Sequence, residues 1–139
     1  MQKIAAGVLL IFLVNGFCFS FPASREQPFD QYFDEYGSQT LWWQEKIHLD
    51  NFAYFLKKHP ETIGYIAFHK SPNESMKKFR SRAKRVVNFL TIQIPRSRRV
   101  KKEQIVAIYD GESENPTTVL QPVDKGGNSP FAGVCLSFK

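Results

Sequence analysis

The chain has few cysteines, and this shortage excludes several common kinds of small extracellular protein. Its 139 residues include two, Cys18 and Cys135. Two cysteines cannot form the dense disulfide framework of small secreted domains, nor a four-cysteine zinc site. Because Cys18 lies inside a predicted signal segment, the mature chain would keep one thiol and no internal disulfide. We expect Cys135 to be a quiet thiol, because no histidine lies near it in the sequence.

The sequence also lacks the short motifs that identify common enzymes and cofactor sites. It contains no G-x-S-x-G, no P-loop and no G-x-G-x-x-G. Its three histidines do not have the spacing typical of a zinc site. We therefore predict no catalytic residue, no metal site and no small-molecule cofactor. Two carboxylate pairs, Asp34/Glu35 and Glu112/Glu114, are the basis of a weaker alternative, a small glycan hydrolase.

Acidic residues are missing from one stretch of an otherwise ordinary composition. Hydrophobic residues make up 42% of the chain and aromatic residues 14%, which is typical of a folded domain. The formal net charge is +6, and 11 of the 19 basic residues lie between Lys77 and Lys102, where no acidic residue occurs. Such a patch suits an anionic partner such as nucleic acid, acidic lipid or a cell-wall polymer. The plainer alternative is a solvated helix face followed by a solvated loop.

The longest apolar run, over 4–14, is short for a membrane span and predicts a signal peptide instead. A lysine precedes the run and small residues follow it. Cleavage after Ser20 gives a signal peptide over 1–20, and cleavage after Ala23 is the competing prediction. An uncleaved anchor is a weaker alternative.

The mature protein is therefore predicted to be extracytoplasmic, either periplasmic or secreted. Nucleic acid is then not an expected partner, despite the basic stretch. Lipid attachment to Cys18 is disfavoured, because Phe17 stands where the lipoprotein pattern has a small side chain. A polar, proline-containing leader is predicted over 21–28.

Apolar residues at helical spacing predict a first helix over 40–58, and Pro60 prevents its continuation. Neighbouring helical residues diverge by about 100°. Of Trp42 and Trp43, one is therefore expected in the core and the other as a partly exposed cover. The predicted buried stripe consists of Trp42, Leu49, Phe52, Ala53 and Leu56.

A second, strongly basic helix is predicted over 72–91. Ser71 is the expected N-cap, Pro72 suits the first helical position and Glu74 closes a capping box. Arg85 is expected on the outer side, where replacement by alanine is predicted to cost no more than roughly 0.5 kcal/mol. The predicted buried stripe consists of Met76, Phe79, Ala83, Val86, Val87 and Leu90.

Short apolar runs between turn residues predict four strands. The resulting fold class is a two-layer α/β sandwich of order β-α-β-α-β-β, with a mixed four-stranded sheet and both helices on one face. The predicted domain covers 29–123, and a tail over 124–139 either adds a strand or stays loose. Pro122 predicts that the last strand ends at a sheet edge. The predicted strands are Phe29–Gly37, Thr62–His69, Gln104–Gly111 and Thr117–Val123.

Several short motifs together resemble one family. RAKRVVNFL, from Arg82, is similar to the R-A-x-x-V-x-x-Y-L helix of the OmpA C-terminal-like, peptidoglycan-associated domain, and GESENP, from Gly111, is similar to the G-E-x-x-P loop of that family. FDEYG, LDNFA and GYI, beginning at Phe33, Leu49 and Gly64, resemble motifs of small secreted bacterial members.

The resemblance implies a site for the diaminopimelate part of a peptidoglycan stem peptide. In the family an Asp binds the ammonium group and the Arg of the R-A motif binds the carboxylate. Arg82 matches that arginine, but the Asp is absent, and Glu74 is the one carboxylate between His69 and Arg82. The predicted ligand-binding residues are Arg82, Ser71, Lys78 and Arg85.

These observations predict a secreted, non-catalytic cell-envelope protein with an OmpA-like fold and a degenerate peptidoglycan-binding site, serving as a binding or scaffold module. Its predicted partner is an envelope protein, peptidoglycan or an anionic wall polymer. The main alternative is a functional binder of peptidoglycan or wall polymer, through Arg82 and the basic 77–102 surface.

Overall fold

The computed structural model describes residues 33–138. The predicted signal peptide over 1–20, the leader over 21–28 and the first residues of the predicted strand Phe29–Gly37 lie outside the described residues. The helices and strands are β1 (Asp34–Gly37), α1 (Trp42–Lys58), β2 (Thr62–Lys70), α2 (Met76–Asn88), β3 (Ile105–Glu112), β4 (Thr117–Asp124) and β5 (Val134–Cys135).

The strands form one mixed sheet in the order β1-β4-β2-β3-β5. Strands β2 and β3 pair in parallel, and the other three pairs are antiparallel. The predicted α/β class and the order of elements through β4 are confirmed. The prediction of four strands is wrong, because the tail contributes β5.

Strand β2 lies at the centre because its sequence can be buried on both sides. Ile66, Ala67 and Phe68 are completely buried although consecutive side chains point to opposite faces. Near-continuous apolar sequence of this kind is typical of a strand in a parallel pair. Gly64 allows α1 to approach closely: a Cβ atom there would lie 2.6 Å from Cδ1 of Leu56.

Both helices pack on the same face of the sheet. Helix α1 contacts that face at Gly64, and the Phe79 ring of α2 meets the rings of Phe68 and Tyr109 edge-on, at 6.4 and 5.2 Å. Trp42 is half-buried against the Phe89 ring, whereas Trp43 is exposed, as the sequence predicted for one of the two. The core that this packing buries includes Leu49, Phe52, Ala53, Leu56, Ile66, Phe68, Phe79, Ala83, Val86, Leu90 and Leu120.

The fifth strand forms because glycine permits a close approach at the sheet edge. Gly133 packs on β3 so tightly that a Cβ atom would lie 2.2 Å from the carbonyl oxygen of Tyr109. Val134 then pairs with Tyr109, and the amide of Leu136 donates to the carbonyl of Ala107 at 2.8 Å. Leu136 also packs against the core. The tail therefore adds a strand, the first of the two predicted outcomes.

Helix α2 begins later than predicted, so the assignment of Ser71 as N-cap is wrong. The amide of Glu74 donates to the carbonyl of Ser71 at 3.0 Å, which makes residues 71–74 a turn with Pro72 at its second position. Ser75 caps the helix, and its Oγ accepts from the amide of Lys78. Proline suits both the second position of a turn and the first of a helix, so the sequence did not distinguish them.

The carboxyl end of α2 widens into a π-helix over Phe89–Gln93. Its closing bond runs from the amide of Ile94 to the carbonyl of Phe89 at 3.0 Å. Helical structure therefore reaches residue 91, as predicted, but the last turn is wider than an α-helical turn and buries Leu90 and Ile94.

Strand β4 lies between β1 and β2, but among the described residues β1 pairs only with its first half, so the end of β4 at Pro122 lies at an edge, as predicted. The backbone hydrogen bonds explain why proline is tolerated there. The amide of Phe33 donates to Leu120 and that of Ser38 to Pro116, so even-numbered residues of β4 direct their backbone groups toward β1. Among the described residues β1 pairs no further than Leu120, and the missing N–H of Pro122 costs no bond to it.

Within residues 33–138, no helix is both long and apolar enough to cross a membrane.

Candidate functional site

Arg82, the residue on which the predicted site depends, is held by a carboxylate of its own chain. Its Nη2 and Nε donate to the two carboxylate oxygens of Glu74, at 3.0 and 3.3 Å, and Nη2 also donates to the carbonyl of His69 at 2.9 Å. Both side chains are largely buried. This two-point contact is the geometry in which guanidinium binds carboxylate most strongly. The predicted role of Glu74 in a capping box is therefore wrong.

The third guanidinium nitrogen of Arg82, Nη1, is buried and has no hydrogen-bond partner among residues 33–138. The guanidinium carbon lies 5.5 Å from the ring centre of Phe79 and 6.0 Å from that of Phe68. Aromatic rings on this side shield the charge from water and strengthen its attraction to Glu74.

A buried lysine fixes the turn that carries Glu74. Nζ of Lys70 donates to the carbonyls of Ser71 and Glu74, at 2.9 and 3.0 Å, and pairs with Oε1 of Glu112 at 2.8 Å. We call Lys70, Glu74, Arg82 and Glu112 the loop network. It contains two cations and two carboxylates, so its formal charges balance.

One feature of the sequence indicates the loop network. Lys70 ends a strand of apolar residues, and a lysine in that place needs partners if it is buried. Its partners, Glu112 and two backbone carbonyls, come from the fold and have no sequence motif. Sequence reasoning identified Arg82 and missed Lys70 and Glu112 as members of the site.

Of the other predicted binding residues, Ser71 is brought into the turn that carries Glu74, the partner of Arg82. Ser71 participates through its backbone carbonyl, which accepts from Lys70 and Glu74. Lys78 is exposed in the first turn of α2. Ser71 is therefore a structural member of the turn, and Lys78 belongs to an outer basic surface.

Arg85 contacts α1, so the prediction that it lies free on the outer side of α2 is wrong. Its Nη2 donates to Oε2 of Glu45 at 2.8 Å, and its guanidinium lies 4.3 Å above the ring of Trp42. The Glu45 side chain is buried, whereas that of Arg85 is nearly half exposed. The pair joins the two helices.

A buried tyrosine lies beside this second pair. Burial raises the pKa of the Tyr36 hydroxyl well above its ordinary value, and the charge of Glu45 raises it further. Tyr36 is therefore protonated throughout the physiological range. The hydroxyl lies within reach of the Glu45 carboxylate and of Thr118, its cross-strand neighbour.

The histidines make separate contacts. His48 pairs with Asp34 at 2.6 Å, and His59 with Glu61 at 3.0 Å. On the sheet face opposite the helices, Nδ1 of His69 lies 3.1 Å from Oγ1 of Thr117, and its Nε2 lies 3.5 Å from Asp110. Across residues 33–138, no three His, Cys, Asp or Glu side chains are grouped so that they could hold a metal ion.

The basic stretch contains both partly buried and exposed side chains. Arg98 pairs with Asp50, and Nε of Arg99 donates to the carbonyl of Ile94. Helix α2 has no acidic residue, so its outer surface is strongly positive. Besides Arg85, the exposed basic residues of this surface are Lys77, Lys78, Arg80, Lys84, Arg96, Lys101 and Lys102.

No family model matches the chain, and neither a curated protein nor a solved structure matches it significantly.

Proposed function

We propose that this chain is a non-catalytic extracytoplasmic module with an OmpA-like α/β sandwich, whose peptidoglycan-binding site is degenerate. In this proposal the protein acts as a binding or scaffold module in the cell envelope. The resemblance of the Arg82 and Gly111 motifs supports the family, and the five-stranded sheet with two helices on one face is compatible with it.

The pairing of Arg82 with Glu74 is the observation that carries the proposal. A ligand carboxylate would need the guanidinium nitrogens that already donate to Glu74 and to the carbonyl of His69. Separating a desolvated charge pair costs about 2–5 kcal/mol. At 1.4 kcal/mol for each factor of ten, affinity for such a ligand falls by a factor between tens and thousands.

The non-catalytic part of the proposal is supported by the contacts of the two carboxylate pairs, Asp34/Glu35 and Glu112/Glu114. One member of each is in contact with a side-chain nitrogen: Asp34 with Nδ1 of His48, and Glu112 with Nζ of Lys70. A glycosidase needs one carboxylic acid with a raised pKa facing a second carboxylate across the substrate. Asp34 and Glu112 are instead already engaged in contacts within the chain.

Calorimetric titration with a stem peptide containing diaminopimelate tests the proposal. We expect no tight binding to the unmodified chain. If Glu74 blocks Arg82, the Glu74→Ala variant gains affinity for the peptide, because its guanidinium is released. Micromolar binding to the unmodified chain that Arg82→Ala abolishes would contradict the degenerate site.

A second candidate is a salt-sensitive binder of an anionic wall polymer. The observation that favours it is the exposed basic surface of α2 and the following connector, where no acidic residue intervenes between Lys77 and Lys102. Attraction between exposed charges is screened within about 10 Å at 0.1 M salt.

Sedimentation with isolated cell-wall sacculi separates the two candidates. The second predicts cosedimentation at low salt, release by salt, and loss in a Lys77→Glu/Arg80→Glu variant. Lys125→Glu, a charge reversal at an exposed position outside the basic stretch, is the matched control. If the protein does not cosediment with sacculi at low salt, the wall-polymer candidate is wrong and the scaffold module remains the proposed function.

A further inference from the structure

Helix α1 is apolar on two opposite faces, although only one of them packs in the core. Trp43, Ile47 and Tyr54 are 58%, 54% and 57% exposed. At 100° per residue these three side chains fall within about 40° of one another. They lie roughly 160° from the centre of the buried face, which carries Leu49 and Phe52. We call Trp43, Ile47 and Tyr54 the outer stripe.

A groove extends the apolar surface beside the outer stripe. It has a volume of about 330 Å³ and runs between α1 and the π-helix. Ile47 forms one wall, and Phe89 and Pro95 contribute apolar atoms on the other. The exposed apolar area is therefore continuous across two elements, unlike the scattered apolar residues of an ordinary protein surface.

Cations flank the outer stripe on both sides. On the helical projection Lys46 and Lys57 lie to one side of it and Lys58 to the other. Nζ of Lys58 lies over the Tyr54 ring, 5.6 Å from its centre, so the ammonium group itself borders the outer stripe. The nearest carboxylate, Asp50, is already paired with Arg98.

We propose that the outer stripe docks on an anionic phospholipid surface. Tryptophan and tyrosine favour the boundary between headgroups and acyl chains, since each has an apolar body and a polar tip. Ile47 would enter the acyl boundary, and the flanking lysines would contact lipid phosphates. This site lies on α1, apart from the loop network, and goes beyond the proposed function.

The charges exclude the main competing occupant, a second copy of this chain. In a two-fold pairing of α1 with itself, the lysines at 46, 57 and 58 of one copy would face those of the other. Like charges placed opposite each other weaken an interface. An anionic lipid surface complements the same lysines.

Quenching of Trp43 by brominated lipid tests the proposal directly. The chain has two tryptophans, so the full-length Trp42→Phe variant retains Trp43 alone. We expect vesicles of phosphatidylglycerol brominated on the acyl chains to quench and blue-shift this emission, and neutral phosphatidylcholine vesicles to have little effect. The readout is local, so it reports contact of this face even where another segment of the chain binds the same vesicle.

Two further comparisons keep the test independent of the stability of that variant. Unmodified chain is expected to show quenching that Trp43→Phe removes, since Trp42 is packed against Phe89. Ile47→Ser is expected to reduce vesicle contact at Trp43 at least fivefold. Val134→Ser, at an exposed apolar position on β5, is the matched control and leaves it unchanged.

Reversal of the flanking charges tests the choice of lipid. The Lys46→Glu/Lys57→Glu/Lys58→Glu variant should lower partitioning onto phosphatidylglycerol at least tenfold. The proposal is overturned if Trp43 is not quenched in the folded variant, or if neutral vesicles quench it equally. It is also overturned if sedimentation shows a dimer of the chain that Ile47→Ser dissociates.

Discussion

Arg82 and Arg85 lie one turn apart on the same helix, and each pairs with a glutamate, yet the two pairs differ in burial and reach. The Arg82 side chain is 11% exposed and its partner Glu74 is 18% exposed. The Arg85 side chain is 45% exposed, and that of its partner Glu45 is 4% exposed. In the first pair both charges are shielded, whereas in the second a buried carboxylate is reached by an arginine at the surface.

The difference indicates which part of the molecule each arginine stabilises. Glu74 is eight residues from Arg82, so that pair fixes a local turn against its own helix. Glu45 is 40 residues from Arg85, so that pair joins α1 to α2. Loss of the first should loosen the site, and loss of the second should weaken the fold.

The largest expected effect is at Phe79, whose ring lies under Arg82 and inside the core. Phe79→Ala should lower the free energy of unfolding by about 3–5 kcal/mol, because a fully buried ring leaves a cavity. Denaturant unfolding measures it. Met76 was predicted in the buried stripe of α2, but it is exposed, so that prediction is wrong. Met76→Ala, one turn from Phe79, is therefore the control and should stay within about 0.5 kcal/mol. Similar losses for the two variants would mean that the helix face is wrongly placed.

Arg85→Ala should cost less, about 2–3 kcal/mol. Removing one partner of a buried ion pair costs about 3–5 kcal/mol, and the exposure of Arg85 reduces that figure. The loss arises because the Glu45 carboxylate stays buried without a partner. Adding Glu45→Gln should recover part of the stability. A loss within about 0.5 kcal/mol, as the sequence predicted for an outer position, would show that the pair contributes nothing.

Arg82→Ala should cost still less, about 1–2 kcal/mol, although Arg82 and Glu74 are on average less exposed than Arg85 and Glu45. Glu74 sits on a turn and can move toward water once its partner is removed, so its desolvation is relieved. Arg82→Lys keeps the charge but loses the two-point geometry, so its stability should lie between that of the unmodified chain and that of Arg82→Ala. If Arg82→Ala destabilises more than Arg85→Ala, the division between site and fold is wrong.

The smallest effect is expected at His59 and Glu61, a pair at the surface. A hydrogen bond from its own backbone amide, and then His59, lower the pKa of the Glu61 carboxyl below its ordinary value. A lowered folded-state pKa gives stability that is present above the unfolded pKa and lost as pH falls through the folded one. NMR titration should place the Glu61 midpoint below that of an ordinary glutamate, and His59→Ala should raise it. An unchanged midpoint in the variant would contradict the role of His59 and leave the backbone amide and Lys125 as the causes of the lowered pKa.

Local patterns predicted the fold well, and long-range contacts account for what they missed. The apolar periodicity placed α1 and β2 nearly as observed, because each needs only its own residues to define a buried face. The start of α2 failed because Ser71 and Ser75 are both good caps, and Lys70 decides between them by binding the turn. Strand β5 depends on how closely Gly133 approaches β3, which no local pattern expresses.

The candidate site was predictable in part for the same reason. Arg82 was identified by a motif within its own helix. Its partner Glu74 was seen and given another role, since a glutamate three residues after Ser71 fits a capping box. The pairing of Arg85 with Glu45 needed the packing of two helices, and no sequence spacing contains it.

The Nε–H signal of Arg82 in a ¹⁵N NMR spectrum tests the central claim, that Nε and Nη2 of this guanidinium are already bound within the chain. Hydrogen bonding to Glu74 and burial predict a slowly exchanging signal, separate from those of exposed arginines and unmoved by a stem peptide containing diaminopimelate. In Glu74→Ala the same signal should shift when the peptide is added. A signal in the unmodified chain that shifts with the peptide would show that Arg82 is free to bind it, and would contradict the degenerate site.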